Sequence, residues 1–468
     1  MLLFLAALYL SSSLIRAIPI PEALAIGVAE LPSPTTCLCP NRRSVWDILW
    51  SCLTTIFACS WISIHPNIPA PCEIWWKISR RRLELMFWTL IAPELTILWA
   101  MRQWYGARSL AREYHGQGWT KTHGHFLQMG GFLLYKGDAA QETLIPETFK
   151  RLLQNGKINF PSITQEKIQD RSKGDGLSKA LVVIQTSWFI VQCIARGVQK
   201  LDITQLEIVT LAFSLLNGFM YFLWWDKPLD VRCAVPVYLL DQPSQPITIG
   251  QDPPNDTDKS IFRRIYSSVI QISGLRVSFV SWCRSGPSQA WNTIKDAEIL
   301  SKLLAAPVYL VFYLFTRPLD MSNSRRTLSS GGMRVSTFYS IDVGKDLYRS
   351  YTISASMAVV FGAIHCIAWS STFPSDKERV YWRIASVVIS SVPCTMIIAG
   401  SIGNPKADHS GKTFVGGIAK FAVEFMLVYL LAYVAARFFL LVEGFASLRK
   451  LPPGAYTAIE WLSFIPHI

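Results

Sequence analysis

Uncharged apolar runs recur along this chain at a length that suits a lipid bilayer. A helix rises about 1.5 Å per residue and the hydrocarbon core is about 30 Å thick, so about 20 mostly apolar residues cross it. Ser350 to Ser375 contains no Asp, Glu, Lys or Arg and is interrupted only by His365. Ile384 to Pro405 is closed by Lys406, Ile208 to Trp225 is a third such run, and Ile48 to Ile64 ends at the breaker His65-Pro66-Asn67. Four further stretches carry polar groups within the apolar pattern. Leu83 to Met101 holds Glu84 and a central Pro93-Glu94, and Ala180 to Val198 holds Gln185, Gln192 and Arg196. Phe414 to Val442 holds Lys420, Glu424 and Arg437, and Leu303 to Thr316 is a shorter run. The pattern predicts an all-α, polytopic transmembrane helix bundle of about eight spans, with a range of about seven to nine.

Tryptophans fall where such helices would end: Trp46, Trp50 and Trp61 on the first, Trp99 and Trp104 on the second, Trp224 and Trp225 on the fourth. Amphipathic indoles favour the headgroup level. Residues 1–25 read as a signal peptide. The apolar core Leu2 to Leu10 is too short to span, and Ala23-Leu24-Ala25 offers a small-residue exit, although a basic leader is missing. An external segment, 26–45, precedes the membrane domain, 46–468. Large polar loops follow at about 102–179 and 226–299.

With straight spans throughout, Lys77, Arg80, Arg81 and Arg82 fall on the cytosolic side and both large loops outside, which sets an external amino terminus. The expected location is the secretory pathway or plasma membrane. The sequon Asn255-Asp256-Thr257 lies in the second loop as a glycosylation candidate. In that loop Phe262 to Leu275 approximates an amphipathic interfacial helix, with a ninth span as the competing reading. Cys37, Cys39, Cys233 and Cys283 would face an oxidising compartment on this topology.

Composition strengthens the membrane reading. Only 16% of the 468 residues are charged while 51% are hydrophobic, too little charge to cover a soluble surface of this size. The net charge of +13 is better explained by cations that flank helices and meet anionic headgroups than by nucleic acid. The lipid bilayer is therefore the expected partner, with any small-molecule or ion ligand undetermined.

Ionisable groups within hydrocarbon are costly and call for partners or a role. Glu94 stands mid-helix directly after Pro93, where a kink and a carboxylate could line a cavity or relay a proton; the alternative is a helix tie to Arg196 or Lys420. Lys420 and Glu424 are spaced to pair with each other. Gln185, Gln192 and Arg196 form a polar stripe suited to interhelical hydrogen bonds or to a solvated path. Glu207 and Arg437 read as snorkelling end groups, and Lys227-Pro228 as helix punctuation. His123 and His125 would share a face of a strand and could supply two zinc ligands, but nothing nearby completes such a site. Ser410-Gly411-Lys412-Thr413 mimics the end of a P-loop, yet Lys406 stands where its leading glycine belongs. No cofactor is indicated.

Several motifs bear a family likeness. Phe57-Ala58-Cys59-Ser60-Trp61 with Ile64-His65-Pro66-Asn67-Ile68-Pro69, Ala92-Pro93-Glu94-Leu95 and Trp119-Thr120-Lys121-Thr122-His123-Gly124 are three of them. Gln128-Met129-Gly130-Gly131-Phe132, Asp170-Arg171-Ser172-Lys173-Gly174-Asp175 and Lys227-Pro228-Leu229-Asp230-Val231 are the others. From about Trp46 onward the chain resembles a large family of fungal multi-pass integral membrane proteins, abundant in mushroom-forming species. It departs at Asp226, where many relatives would carry Asn. The resemblance implies a membrane fold but no activity, cofactor or catalytic residue. Three functional classes follow: a transporter, channel or receptor-like protein, favoured by Glu94 and the polar stripe; an intramembrane enzyme of secondary metabolism; and a structural or interaction protein.

Overall fold

A computed structural model of the chain describes residues 42–172, 176–240, 313, 317, 318, 321, 332–344, 346–402 and 431–461. The signal peptide, Cys37, Cys39, Asn255, the 262–275 helix, Cys283, Lys420 and Glu424 lie outside the described residues, as does most of the 303–316 run. The chain is mostly helical. Helix α1 (Val45–Phe57) starts at a capping box, in which the Ser44 hydroxyl accepts from Asp47 N while Asp47 accepts from Ser44 N, and it ends in a π turn, Ala58–Ile62. Helix α2 (Trp75–Ile91) and helix α3 (Pro93–Glu113) follow.

The expected second span is not one helix. Proline disfavours helical geometry in the residue before it, and Ala92 accordingly sits at φ −140°, ψ 64°. Pro93 then occupies the first turn of α3, where its missing N–H costs nothing. The two helices meet at 113°. Helix α3 also continues to Glu113, twelve residues beyond the Met101 limit that the sequence suggests.

After α3 the chain builds a compact lobe. Helix α4 (Lys121–Gln128), strands β1 (Phe132–Lys136) and β2 (Ala139–Thr143), helix α5 (Pro146–Gln154) and helix α6 (Gln165–Asp170) come first. Strand β3 (Val235–Tyr238) returns later and lies parallel to β1, giving the sheet order β2-β1-β3. The all-α expectation thus needs a small sheet added. Its hairpin turns at Gly137, whose φ of +59° suits a residue without Cβ. Trp119, Phe126, Phe132, Phe149 and Ile158 form the lobe core, with Trp119 stacked on Phe132 at 6.0 Å.

Helix α7 (Gly176–Val198), helix α8 (Gln205–Leu223), helix α9 (Asp346–His365), helix α10 (Asp376–Ile402) and the apolar helix α11 (Leu431–Arg449) form the bundle with α1 to α3. Trp88, Trp99, Trp224, Phe213, Phe361 and Trp382 fill its core. Among the described residues, five helices are long and apolar enough to cross a membrane, or six if the bent α2–α3 pair is one span.

The bundle has two distinct ends. At one, Arg43 pairs with Glu207 and donates to Ala455 O, Gln205 donates to Thr372 O, and Arg449 pairs with Glu378. This end holds the start of α1 and α8 and the finish of α7, α9 and α11. At the other, Ile68 N donates to Met129 O, Asn67 to Ser336 O, and Lys179 to Trp225 O. The α2–α3 pair therefore starts and finishes at the lobe end. Residues 63–82 and the lobe, which straight spans would separate, lie together.

Outward faces are apolar. On α7, Leu181, Ile184, Trp188, Val191, Ile194 and Val198 recur at helical spacing and are all exposed, whereas Thr186 and Arg196 point inward. A helix in a soluble protein has the reverse polarity.

Candidate functional site

Two polar centres occupy this frame, one where the lobe meets the bundle and one at the α2–α3 bend. The first is organised by Lys227. Helix α8 ends at Leu223, and the chain then turns so that Lys227 points inward and is 1% exposed. Helix punctuation, the sequence reading of this residue, would leave the side chain at the surface. Instead its Nζ donates to His65 O, to Gln103 Oε1 at 2.9 Å and to Asn67 Oδ1 at 3.4 Å. It also lies 4.8 Å from the Trp99 ring centre and 4.9 Å from that of Trp224. Burial pulls the ammonium pKa well below its ordinary value. Three oxygen acceptors and two indole faces offset part of that penalty.

Gln103 on α3 ties the centre together. Its Nε2 donates to Tyr339 O at 2.9 Å and to Asn67 Oδ1 at 3.2 Å, and its Oε1 accepts from Trp224 Nε1 at 3.1 Å as well as from Lys227. Gln128 of α4 donates to Gln103 O at 3.0 Å. Helices α3 and α4 approach closely because a glycine stands at the crossing: a Cβ on Gly124 would lie 2.4 Å from Ala107 O.

Two buried histidines flank this centre. His65 holds Ser63 O through Nδ1 at 2.8 Å, while among the described residues its Nε2 has no hydrogen-bond partner, and neither ring nitrogen of His125 has one. Desolvation first and the Lys227 charge second hold both rings well below the usual imidazole pKa. His123 and His125 lie on α4 rather than on a strand. His123 is spent on capping: its Nδ1 accepts from Thr120 N at 3.1 Å and its Nε2 meets Ile163 O at 3.0 Å. Among the described residues no group of three or more His, Cys, Asp and Glu side chains is placed to hold a metal ion.

The second centre lies deep in the bundle. Arg437 Nη2 is 2.6 Å from Glu94 Oε2, and the same guanidinium receives Tyr433 Oη at 2.7 Å as an acceptor and covers the Phe361 ring at 3.7 Å. Ser354 of α9 donates to Glu94 O. Neither Arg196 nor an end-group role for Arg437 survives as the account of this pair. A cavity of about 10 Å³, the size that one water needs, borders the bend and is lined by Cys59, Ser60, Thr89, Pro93 and Asn217 among others. The π turn of α1 supplies Cys59 and Ser60, and Asn217 Oδ1 is buried with no hydrogen-bond partner among the described residues.

The remaining polar stripe divides. Gln185 donates to Thr55 Oγ1 on α1 at 3.0 Å, an interhelical bond. Arg196 turns to the opposite end of the bundle, donating to Asp202 O, Gly454 O and Thr457 O. Gln192 is half-buried on the same helix. Glu207, read from sequence as a snorkelling group, caps its own helix through Thr204 N at 2.9 Å and pairs with Arg43. The Thr204-x-x-Glu207 spacing is a capping-box signal that was available in the sequence.

No curated protein and no solved structure matches the chain. A family model does, over residues 24–247 and 328–468, and on that match the chain belongs to the family of unknown function DUF8562.

Proposed function

We propose that this chain is a multi-pass integral membrane protein of the solute-handling kind, a transporter, channel or receptor-like protein. The observation that carries this reading is the 113° bend at Ala92-Pro93, which brings the buried Glu94–Arg437 pair into the bundle interior, while Pro93 at the same bend borders a small cavity that Ser60, Thr89 and Asn217 share with mainly apolar side chains. Interrupted helices that bring charged groups to the middle of a bundle are the architecture of many solute sites. Apolar outward faces on α7 and α10, and exposed Trp46, Trp75, Trp76 and Trp225 toward the helix ends, support insertion in lipid.

The lobe end carries Lys77, Arg80, Arg81, Arg82, Arg108 and Arg112 beside the apolar helices. We therefore orient the lobe toward the cytosol and the Arg43 end outward, which keeps an external amino terminus. Cys233 and the start of the second large loop then face the cytosol.

A second reading, an intramembrane enzyme, draws on His125, whose ring nitrogens are unpartnered beside Lys227. One experiment separates the classes. Purified protein is screened by thermal shift against small organic acids, amines and inorganic ions, since a ligand at about 100 times its Kd stabilises by about 2.7 kcal/mol. A solute-handling site predicts a hit that Glu94→Gln abolishes while folding persists, and an enzyme predicts a hit lost in His125→Ala instead. If every hit survives both changes, the solute-handling proposal is withdrawn.

A further inference from the structure

Four cations crowd the start of α2, at Lys77, Arg80, Arg81 and Arg82, and their side chains fall into two pairs. Arg81 is bound to Glu73 in a bidentate pair, and Arg82 lies 2.7 Å from Asp230 while covering the Trp61 ring at 5.0 Å. Both are held by the fold. Lys77 and Arg80 are exposed, and among the described residues neither has a carboxylate partner. What they share is the face of Trp76, which lies 5.8 Å from Lys77 Nζ and 5.9 Å from Arg80 Cζ.

The same face of the helix changes character along its length. Trp76, Arg80, Leu83 and Phe87 follow at spacings of four, three and four residues, all exposed. Two cations without a carboxylate partner among the described residues and an exposed indole give way, within about 10 Å of helix rise, to the partly exposed apolar side chains of Leu83 and Phe87. A soluble anion would use the cations and leave Leu83 and Phe87 in water. A phospholipid satisfies both parts at once, with its phosphate at Lys77 and Arg80 and its acyl chain along Leu83 and Phe87.

We propose that this face of α2 is a binding site for anionic glycerophospholipids, with a preference for a net negative headgroup over a zwitterionic one. The site rests on the membrane reading above, and it adds a lipid class and the residues that select it. Selection follows from charge: each cation near an anionic surface contributes about a fivefold preference, and a zwitterionic headgroup forgoes most of it. Arg81 and Arg82 contribute little because their charges are already met.

The test is native mass spectrometry of the full chain released from detergent, with phosphatidylserine and phosphatidylcholine at equal concentration. The wild type is expected to carry more phosphatidylserine than phosphatidylcholine. Lys77→Gln with Arg80→Gln should lower the phosphatidylserine adducts at least about fivefold and leave the phosphatidylcholine adducts and the thermal midpoint unchanged. Arg82→Gln, which breaks a structural pair, should lower the midpoint and keep the preference. Equal occupancy of the two lipids, or an unchanged preference in the double variant, overturns the proposal. Displacement of the lipid by glycerophosphoserine, which lacks acyl chains, at matching concentration also overturns it, since the site would then serve a soluble phosphate. A chain that needs no detergent to stay in solution would instead defeat the membrane reading itself, so the two failures are distinct.

Discussion

Arg437 and Glu94, separated by 343 residues in sequence, meet at 2.6 Å in the interior of the bundle. Their contact fastens helix α11 to the apex of the α2–α3 pair, so one ion pair holds the irregular part of the bundle against a regular helix. Both groups are nearly fully buried, at 4% and 8% exposure, and each is the answer to the other's desolvation.

Removing one member leaves a buried charge without its counterpart. Glu94→Ala should therefore cost about 3–5 kcal/mol, read as a lower midpoint in detergent-solubilised thermal unfolding. Glu94→Leu combined with Arg437→Met should recover most of the loss, because neither charge then remains buried. A double variant as unstable as the single one would mean that the pair has a role beyond mutual neutralisation.

Lys227 joins the loop at His65, helix α3 at Gln103 and the α8 exit in one cage. Lys227→Met leaves the carbonyl of His65 without the Lys227 donor, at about 1–3 kcal/mol for a buried orphan, while the amide oxygen of Gln103 keeps its bond from Trp224 Nε1. The expected readout is faster proteolysis between the lobe and the bundle. Lys227→Arg should not restore resistance, since a planar guanidinium cannot present a compact point charge to both indoles.

His65 and His125 give the protein a pH dependence of definite sign. Their folded pKa values lie well below that of an unfolded histidine, about 6.5, so the unfolded chain binds more protons below that pH. The stability they contribute is present above about pH 6.5 and is lost as the pH falls toward the folded values. Thermal midpoints taken at about pH 7.5 and about pH 5 should show the drop, and His125→Phe should make it smaller. A midpoint insensitive to acid over this range would remove both rings from the buried, neutral state.

Cys72 and Cys233 are both exposed at the lobe end. In a variant with Cys37, Cys39, Cys283, Cys366 and Cys394 replaced by Ser, a membrane-impermeant maleimide should leave intact cells unlabelled. Labelling should appear after permeabilisation. Labelling of intact cells would turn the lobe outward.

The sequence disclosed the helical character of the chain and the apolar faces of its helices because that property is local. Runs such as Ser350 to Ser375 and the outward stripe of α7 declare themselves residue by residue. The bend was half legible: Pro93-Glu94 marked the place, but its size is set by what packs against it, Ser354 on α9 and Arg437 on α11. Lys227 was misread because a cation before proline at a helix end fits two environments, and only the tertiary approach of His65 and Gln103 chooses between them. Glu207 could have been recognised from Thr204. The lobe sheet was hidden because β3 pairs in parallel with β1 about a hundred residues away, beyond the reach of any hairpin signal. Several motifs that carried the family likeness, at His65, Asn67, Gln128 and Lys227, converge on the same cage, although nothing in their spacing announced it.

The most direct test of the whole account is where the protein partitions. Membranes from cells that express the full chain are washed with alkaline carbonate, which strips peripheral proteins, and then treated with mild detergent. The account predicts that the chain stays in the washed pellet and is released only by detergent, because its apolar outer faces, such as that of α7, lie in lipid. Its recovery in the carbonate supernatant as a monodisperse particle would contradict the account.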